Sequence, residues 1–308
     1  AKLKTIFADV QKAVNPAERV YYPVADNKEP IVAIGTDKEV DDPSIEVYFK
    51  QDATPDSEKN NVGYLASQYM TSMITSMLNA RLSELTQSAN PPFTRAYSSY
   101  GNFFVAKTKE ALNLSASSKA DGIEKALKVL LQEAERARRF GFTESEYARA
   151  RANYLQRLES AYNEREKTKH GSYVREYVRN FLDAEPIPGI ETEYAMMNQL
   201  APNLPVQTIN MAIQQLVPDS NQVVIIAGPE KEGLKYPQKE EVIALLKGMK
   251  SLDLQPYVDK VSNEPLMAEE PKPGKVVKTE QGAFGTAKSY LRKKVKSMVV
   301  QNLFCPTV

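Results

Sequence analysis

Residues 59–86, KNNVGYLASQYMTSMITSMLNARLSELT, decide the fold of this chain. The apolar residues of this segment recur at intervals of three and four, which predicts a long amphipathic helix. They are Val62, Leu65, Ala66, Tyr69, Met70, Met73, Ile74, Met77, Leu78, Leu82 and Leu85. A stripe this wide indicates a helix that lies on a sheet, and Asn90-Pro91-Pro92 ends the segment.

The segments on either side of this helix predict strands. Two strands precede the helix and a long β-hairpin follows it, at residues 30–37, 44–50, 93–106 and 110–118. A nearly all-apolar segment at 221–227 predicts a central strand. Because strands and helices are mixed without regular alternation, we predict an α+β fold, in which a mostly antiparallel sheet has helices packed on one face.

Capping signals place the later helices. Asp121 is expected to cap a helix that Gly141 ends. Thr143 is followed three residues later by Glu146, which is the pattern of a capping box, and the helix it starts is expected to continue past Gly171 toward Phe181. Shorter helices are predicted at 190–200, 205–216 and 238–250.

The composition argues against several classes of function. The chain has 308 residues, a net charge of +1, one histidine (His170) and one cysteine (Cys305). Because a zinc site usually takes three or four His, Cys or carboxylate ligands, we predict no metal site and no catalytic residue here. Neutral charge and basic clusters without interleaved aromatics predict no nucleic-acid partner. No apolar run is long enough to span a membrane, and no signal-peptide pattern is present.

Five segments resemble the pitrilysin/insulinase family of zinc peptidases. They are RVYYPVADNKEPIVAIGTDKEV (19–40), MLNARLSEL (77–85), NPPFTRAYSSYG (90–101), FGFTESEYARARANYLQRLE (140–159) and NQVVIIAGP (221–229). The zinc-bearing domain of that family carries His-x-x-Glu-His, and this chain has no such motif. The resemblance is therefore to the second, non-metal domain type, with a pitrilysin-like metallopeptidase fold. It implies no cofactor in this chain and zinc in a missing catalytic domain.

The resemblance also implies a division of the chain. Residues 1–14 are expected to be the terminal helix of a preceding domain, and 15–28 a linker. Residues 29–251 form the non-catalytic α+β domain. Residues 252–308 are interpreted as a linker and the start of a following or truncated segment; its end could hold a strand, for which no partner is visible in the sequence.

The resemblance implies a substrate-binding role for Arg81. Some non-metal domains of the family supply an Arg and a Tyr that reach the substrate, and Arg81 matches the Arg position. The Tyr position is displaced by Asn90-Pro91-Pro92, which leaves Phe93, Tyr97 and Tyr100 as candidates. In a strand, Phe93 and Tyr97 share one face and Tyr100 points to the other. The alternatives are that Arg81 snorkels at the helix end and that the aromatic residues pack in the core.

Three hypotheses for function follow. The first is a non-catalytic domain of a zinc metalloendopeptidase, which forms part of a peptide-enclosing chamber and positions an unfolded peptide for a zinc-bearing domain of the same parent chain or of a partner subunit. The segment alone is then expected to be inactive. The second is a structural or assembly subunit of the same fold, and the third is an independent peptide-binding module. The resemblance favours a periplasmic or secreted location, which the sequence itself leaves open.

Overall fold

A computed structural model of the chain describes residues 2–17, 20–260, 275–282, 285–292 and 295–301. The chain divides into two compact units, Ala1–Asp259 and Lys260–Val308. Among the described residues, the first unit holds a five-stranded sheet with helices, and the second holds a three-stranded sheet.

The first unit alternates irregularly between helices and strands. Its strands are β1 (Ile31–Asp37), β2 (Ser44–Asp52), β3 (Arg95–Asn102), β4 (Lys109–Ser117) and β5 (Gln222–Pro229). Its helices are α1 (Lys2–Ile6), α2 (Val62–Thr86), α3 (Ile123–Phe140), α4 (Glu144–Asn163), α5 (His170–Asp183), α6 (Ile190–Asn203), α7 (Val206–Leu216) and α8 (Lys239–Gly248). The predicted strands, the hairpin and the short late helices are therefore confirmed.

The strands of the large sheet lie in the order β1-β5-β2-β4-β3. β1 runs parallel to β5, whereas every other neighbouring pair is antiparallel. The α+β prediction is confirmed, as is the central position of the apolar strand β5 between β1 and β2. The outer strands β1 and β3 are the two edges of this sheet.

Helices pack on one side of the sheet and enclose the core. α2 contributes the apolar residues that its periodicity predicted, including Met73, Ile74 and Leu78, each fully buried. They meet alternate residues of the central strands, such as Val47 and Leu114. Removing this much apolar surface from water provides the main driving force for folding, at about 25 cal/mol per Å².

Two of the predicted helix ends are confirmed. Thr143 and Glu146 form the capping box at the start of α4: the Thr143 hydroxyl accepts from the Glu146 N–H, and the Glu146 carboxylate accepts from the Thr143 N–H. Gly141 ends α3 with φ +69°, a conformation that favours glycine. α3 itself begins after Gly122 without a side-chain cap, so the predicted cap at Asp121 is wrong.

Two helix predictions were too long. α4 ends at Asn163, and α5 is a separate helix that begins at His170, because Thr168 and Lys169 adopt extended backbone between them. At the start of the chain, helix is present only over α1 rather than over residues 1–14. The apolar side chains of this segment, Leu3, Ile6, Phe7 and Val10, are exposed, and a short helix without packing is marginal in water.

The second unit corrects the expectation for the chain end. Three strands, β6 (Lys275–Gly282), β7 (Gly285–Arg292) and β8 (Val295–Gln301), form an antiparallel sheet in sequence order. The strand thought to lack a partner therefore pairs within its own segment, where neighbouring strands satisfy their backbone groups locally. Cys305 lies outside the described residues. The domain boundaries given above stay a prediction.

Candidate functional site

The side of the large sheet opposite the core is the candidate site, and we call it the open face. Successive side chains of a strand point to opposite sides, so the neighbours of the core residues lie here. One row of paired residues crosses it from edge to edge: Tyr97, Ser115, Glu46, Ile225 and Ala33. None of these five belongs to the helix-packed core.

Glu46 is the polar centre of the open face. Its two carboxylate oxygens accept hydrogen bonds from Asn113 Nδ2 at 2.7 Å and from Ser115 Oγ at 2.8 Å. Burial, followed by the charge and hydrogen bonding of Glu46 and by Tyr97, raises the pKa of the neighbouring Tyr48 to about 12. Tyr48 therefore keeps its proton at neutral pH, and its hydroxyl is a hydrogen-bond donor on this face.

Aromatic side chains cover one end of the open face. The rings of Phe103 and Phe104, in the β3–β4 loop, lie 5.4 and 5.1 Å from the ring of Tyr48. Phe104 has φ +54°, a left-handed conformation that is uncommon for a bulky residue, and its side chain remains 55% exposed. The loop therefore presents an aromatic surface to solvent beside the polar centre.

Lysines hold the segment before β1 against the same end of the sheet. Lys50 Nζ donates to Ala25 O at 2.8 Å and lies 5.7 Å from the Phe103 ring centroid. Lys109 Nζ contacts Asp26 at 2.6 Å and Asp52 at 2.5 Å. Burial and the nearby Lys109 lower the pKa of Lys50. These contacts fix the direction from which the chain enters β1.

The β3 edge of the sheet is closed at its centre. The side-chain amide of Asn79, on α2, accepts from the Ser98 N–H at 2.6 Å and donates to the Ser98 carbonyl at 3.0 Å. These two bonds occupy the backbone groups through which Ser98 would pair with another strand. A side chain of α2 therefore takes the place of a neighbouring strand at this position.

Within the part of the chain that the structure describes, no side chain closes the centre of the β1 edge in this way. The Glu230 N–H donates to the Asp37 carbonyl at 3.0 Å, which shows that Asp37 points its backbone groups toward β5. Backbone direction alternates along a parallel edge strand, so Val32, Ile34 and Thr36 point their N–H and C=O groups outward. Among the described residues, no further strand lies on this side of β1. β1 is thus the edge at which an extended chain can be added.

Arg81 lies in the interior and does not snorkel to the surface. It is 2% exposed, and its Nε and one Nη contact the Glu146 carboxylate at 2.7 and 2.9 Å. The same Nη donates to the Gly141 carbonyl at 3.0 Å. The guanidinium lies between the rings of Phe142 and Tyr257, at 4.8 and 4.3 Å from their centroids. Arg81 thus joins α2 to the α3–α4 junction.

The three aromatic candidates lie in different environments. Phe93 precedes β3 and is 2% exposed in the core, whereas Tyr97 is 53% exposed on the open face, so the prediction that these two residues share a face is wrong. Tyr100 points to the other side of β3, as predicted, and donates to Glu110 Oε2 at 2.8 Å. Burial and this carboxylate raise the pKa of Tyr100 well above its usual range. The structure therefore does not bring Arg81, Phe93, Tyr97 and Tyr100 together at one site.

The open face carries hydrogen-bonding and aromatic side chains. Within the described residues, no three His, Cys, Asp or Glu side chains converge in a way that could hold a metal. His170 lies at the start of α5. The sequence analysis did not single out Glu46 or Asn79. The alternation of β2 does place the Glu46 side chain on the opposite side of the sheet from its neighbour Val47. The partner of Asn79 depends on how α2 lies along β3, and no sequence pattern indicated that contact.

Comparisons with known proteins agree on one family. The sequence profile of the family described as "Peptidase M16 inactive domain" matches residues 1–154. A "Zinc protease PQQL-like" protein of Arabidopsis thaliana is 24% identical over 275 residues, which are 89% of this chain and 25% of that protein. The chain thus spans about a quarter of the length of this curated relative.

Solved structures share the fold. The periplasmic protease PqqL from Escherichia coli has a TM-score of 0.73 and 19% identity, over 97% of this chain and 33% of that chain. A predicted insulinase family protease from Yersinia pestis has a TM-score of 0.65 and 10% identity, over 80% of this chain and 52% of that chain.

No described helix combines the length and the apolar character needed to cross a membrane.

Proposed function

Because this chain belongs to the peptidase M16 inactive-domain family, we propose that it forms part of the wall of a peptide-enclosing chamber. In this role it holds an extended peptide for a zinc-bearing partner domain and breaks no bond itself. The partner is a catalytic domain of the same parent chain or of another subunit. The names of the relatives, which are proteases, support this proposal.

The observation that carries the proposal is the pair of unequal sheet edges. β3 is closed by Asn79, whereas β1 presents the outward backbone groups of Val32, Ile34 and Thr36. An unfolded peptide that adds to β1 would gain main-chain hydrogen bonds that are independent of its side chains. Such binding selects for an extended, flexible chain more than for a particular sequence, which suits a chamber that receives unfolded peptides.

The open face supplies a second, weaker contact for the guest. On β1 and the neighbouring β5 this face presents Ala33 and Ile225. Further across, on β2 and β3, it presents Glu46 and Tyr97. Among the four predicted substrate-binding residues, Tyr97 has the exposure that a contact with peptide requires. We retain Tyr97 in that role, and we assign the buried Arg81 and Phe93 to the stability of the wall.

The proposal is tested at Thr36, whose side chain is exposed and whose N–H points outward. Proline at this position removes that N–H, and proline is tolerated on edge strands. A fluorescent unstructured peptide should bind Thr36→Pro about tenfold more weakly than the wild type, which corresponds to loss of about 1.4 kcal/mol.

The matched control is Thr36→Ala, which keeps the N–H and should bind the peptide as the wild type does. Circular dichroism establishes that both variants are folded. Equal binding by the wild type and Thr36→Pro would remove β1 from the proposal.

We also propose a periplasmic location for the parent protein, the compartment named for the E. coli relative. Fractionation of the source cells with an antibody against this chain tests it. Recovery in the periplasmic fraction is the expected result, and recovery with cytoplasmic markers would contradict it.

A further inference from the structure

Glu46 is a carboxylate that no cation of the described chain neutralises. Its two oxygens accept hydrogen bonds from the neutral groups Asn113 Nδ2 and Ser115 Oγ, at 2.7 and 2.8 Å. Within the described residues, no lysine, arginine or histidine side chain forms an ion pair with it. Because Glu46 is half-buried at the centre of the open face, the cost of taking its charge out of water is not offset by an opposite charge.

Neutral donors fix the direction of this carboxylate. Asn113 and Ser115 lie on β4 and are more than nine-tenths buried, at 8% and 6% exposure. Tyr48, two residues along β2 on the same side of the sheet, places its hydroxyl beside the carboxylate as well. A carboxylate has about four acceptor positions, so three neutral donors leave it able to accept a further hydrogen bond. Glu46 is therefore a positioned acceptor suited to a charged donor.

The basic residues on this side of β2 and β3 do not supply that donor. Arg95 is on β3, two strands across and two residues along from Glu46, which separates their Cα atoms by about 12 Å. Lys50, four residues along β2, donates to the Ala25 carbonyl instead. A cation that pairs with Glu46 would therefore be supplied by another molecule.

The neighbours of Glu46 in its row suit a side chain with an apolar stem and a charged end. Ile225 lies next to it on β5, and Tyr97 lies two strands away on β3, about 10 Å across the sheet. The Tyr97 side chain is 53% exposed. Lysine and arginine lay their aliphatic stems along apolar surface, and their charged ends are attracted to aromatic rings. The row thus offers both kinds of contact beside one carboxylate.

We infer that Glu46 binds a lysine or arginine side chain of the guest, so that this chain selects extended peptides that carry a basic residue. The inference rests on the proposed function and names the class of peptide. A peptide strand paired with β1 lies three strand spacings from β2, about 14 Å, because β5 lies between β1 and β2. The basic residue therefore belongs to a part of the peptide that leaves β1 and crosses the open face.

Two unstructured peptides test the inference, identical except that one carries a central arginine and the other citrulline, the neutral isostere of arginine. By fluorescence anisotropy, the wild-type chain should bind the arginine peptide about tenfold more tightly than the citrulline peptide, since a hydrogen bond to a charged group is stronger than one between neutral groups. Glu46→Gln keeps the size of the side chain and one acceptor oxygen but removes the charge. This variant should bind both peptides as the wild type binds the citrulline peptide.

The matched control is Glu159→Gln, at an exposed residue of α4, which makes the same change in net charge away from the open face. It should keep the tenfold preference for arginine. A preference that survives Glu46→Gln, or one that Glu159→Gln abolishes, would overturn the inference. Equal binding of the two peptides by the wild type would overturn this inference alone, whereas no binding of either peptide would overturn the proposed function as well.

Discussion

At the scale of single residues, Arg81 links two helices of the first unit. Its guanidinium pairs with Glu146, and both side chains are almost completely buried, at 1% and 3% exposure. Glu146 is also the residue that closes the capping box of α4. One carboxylate therefore joins the start of α4 to the end of α2, and a buried pair of this kind is costly to break from one side.

We therefore expect Arg81→Met to destabilise the first unit by about 3 kcal/mol or more, because Glu146 loses its partner in the interior. The exposed pair Lys247–Glu29 supplies the control, and Lys247→Met should cost less than about 1 kcal/mol. Urea unfolding followed by circular dichroism measures both. Equal effects of the two substitutions would show that the Arg81 pair does not stabilise the fold.

Glu133 makes stability depend on pH. It is 5% exposed in α3, and burial raises the pKa of its carboxyl above the usual 4.5, although Arg136 opposes this shift. The folded state therefore holds this proton more tightly than the unfolded chain does. The protonated carboxyl consequently adds to the free energy of unfolding below pH 4.5, and this stabilisation is lost as the pH rises through the folded pKa.

The substitution Glu133→Gln should consequently raise the free energy of unfolding at pH 7 and change it little at pH 4. Urea titrations of the variant and the wild type at both pH values measure the difference. A variant that is less stable than the wild type at pH 7 would show instead that the ion pair with Arg136 outweighs the cost of burial.

At the scale of elements, α2 protects the sheet as well as packing on it. Asn79 occupies the backbone groups of Ser98, so the β3 edge is unavailable for pairing at its centre. Unprotected edges invite pairing with other chains, and proteins commonly block them. In this account Asn79 directs an incoming strand to β1.

Asn79→Leu should therefore release the Ser98 backbone groups. We expect faster hydrogen exchange of the Ser98 amide and concentration-dependent association detected by sedimentation. Asn198→Leu is the control, since the Asn198 side-chain amide donates to the Tyr194 carbonyl within its own helix, α6. Unchanged exchange at Ser98 in Asn79→Leu would contradict a protective role for Asn79.

The sequence predicted elements better than it predicted contacts between them. The periodicity of α2, the hairpin and the Thr143 capping box depend on residues close together in the chain, so local patterns revealed them. The pairing of Arg81 with Glu146 and of Asn79 with Ser98 depends on how helices lie against each other and on the sheet. Arg81 was therefore expected near the surface, and Asn79 attracted no interpretation.

At the scale of the whole molecule, our proposal is that the chain holds another chain. Helices close one side of the large sheet, and among the described residues no further strand lies beyond β1.

Hydrogen exchange of β1 in the presence of an unstructured peptide and zinc is the most direct test of the central claim, that this chain binds an extended peptide without cleaving it. Mass spectrometry reports both the exchange of residues 31–37 and the length of the peptide. We expect slower exchange over β1, no change over β3, and an intact peptide. Cleavage that a chelator abolishes, or unchanged exchange over β1 at saturating peptide, would contradict the account.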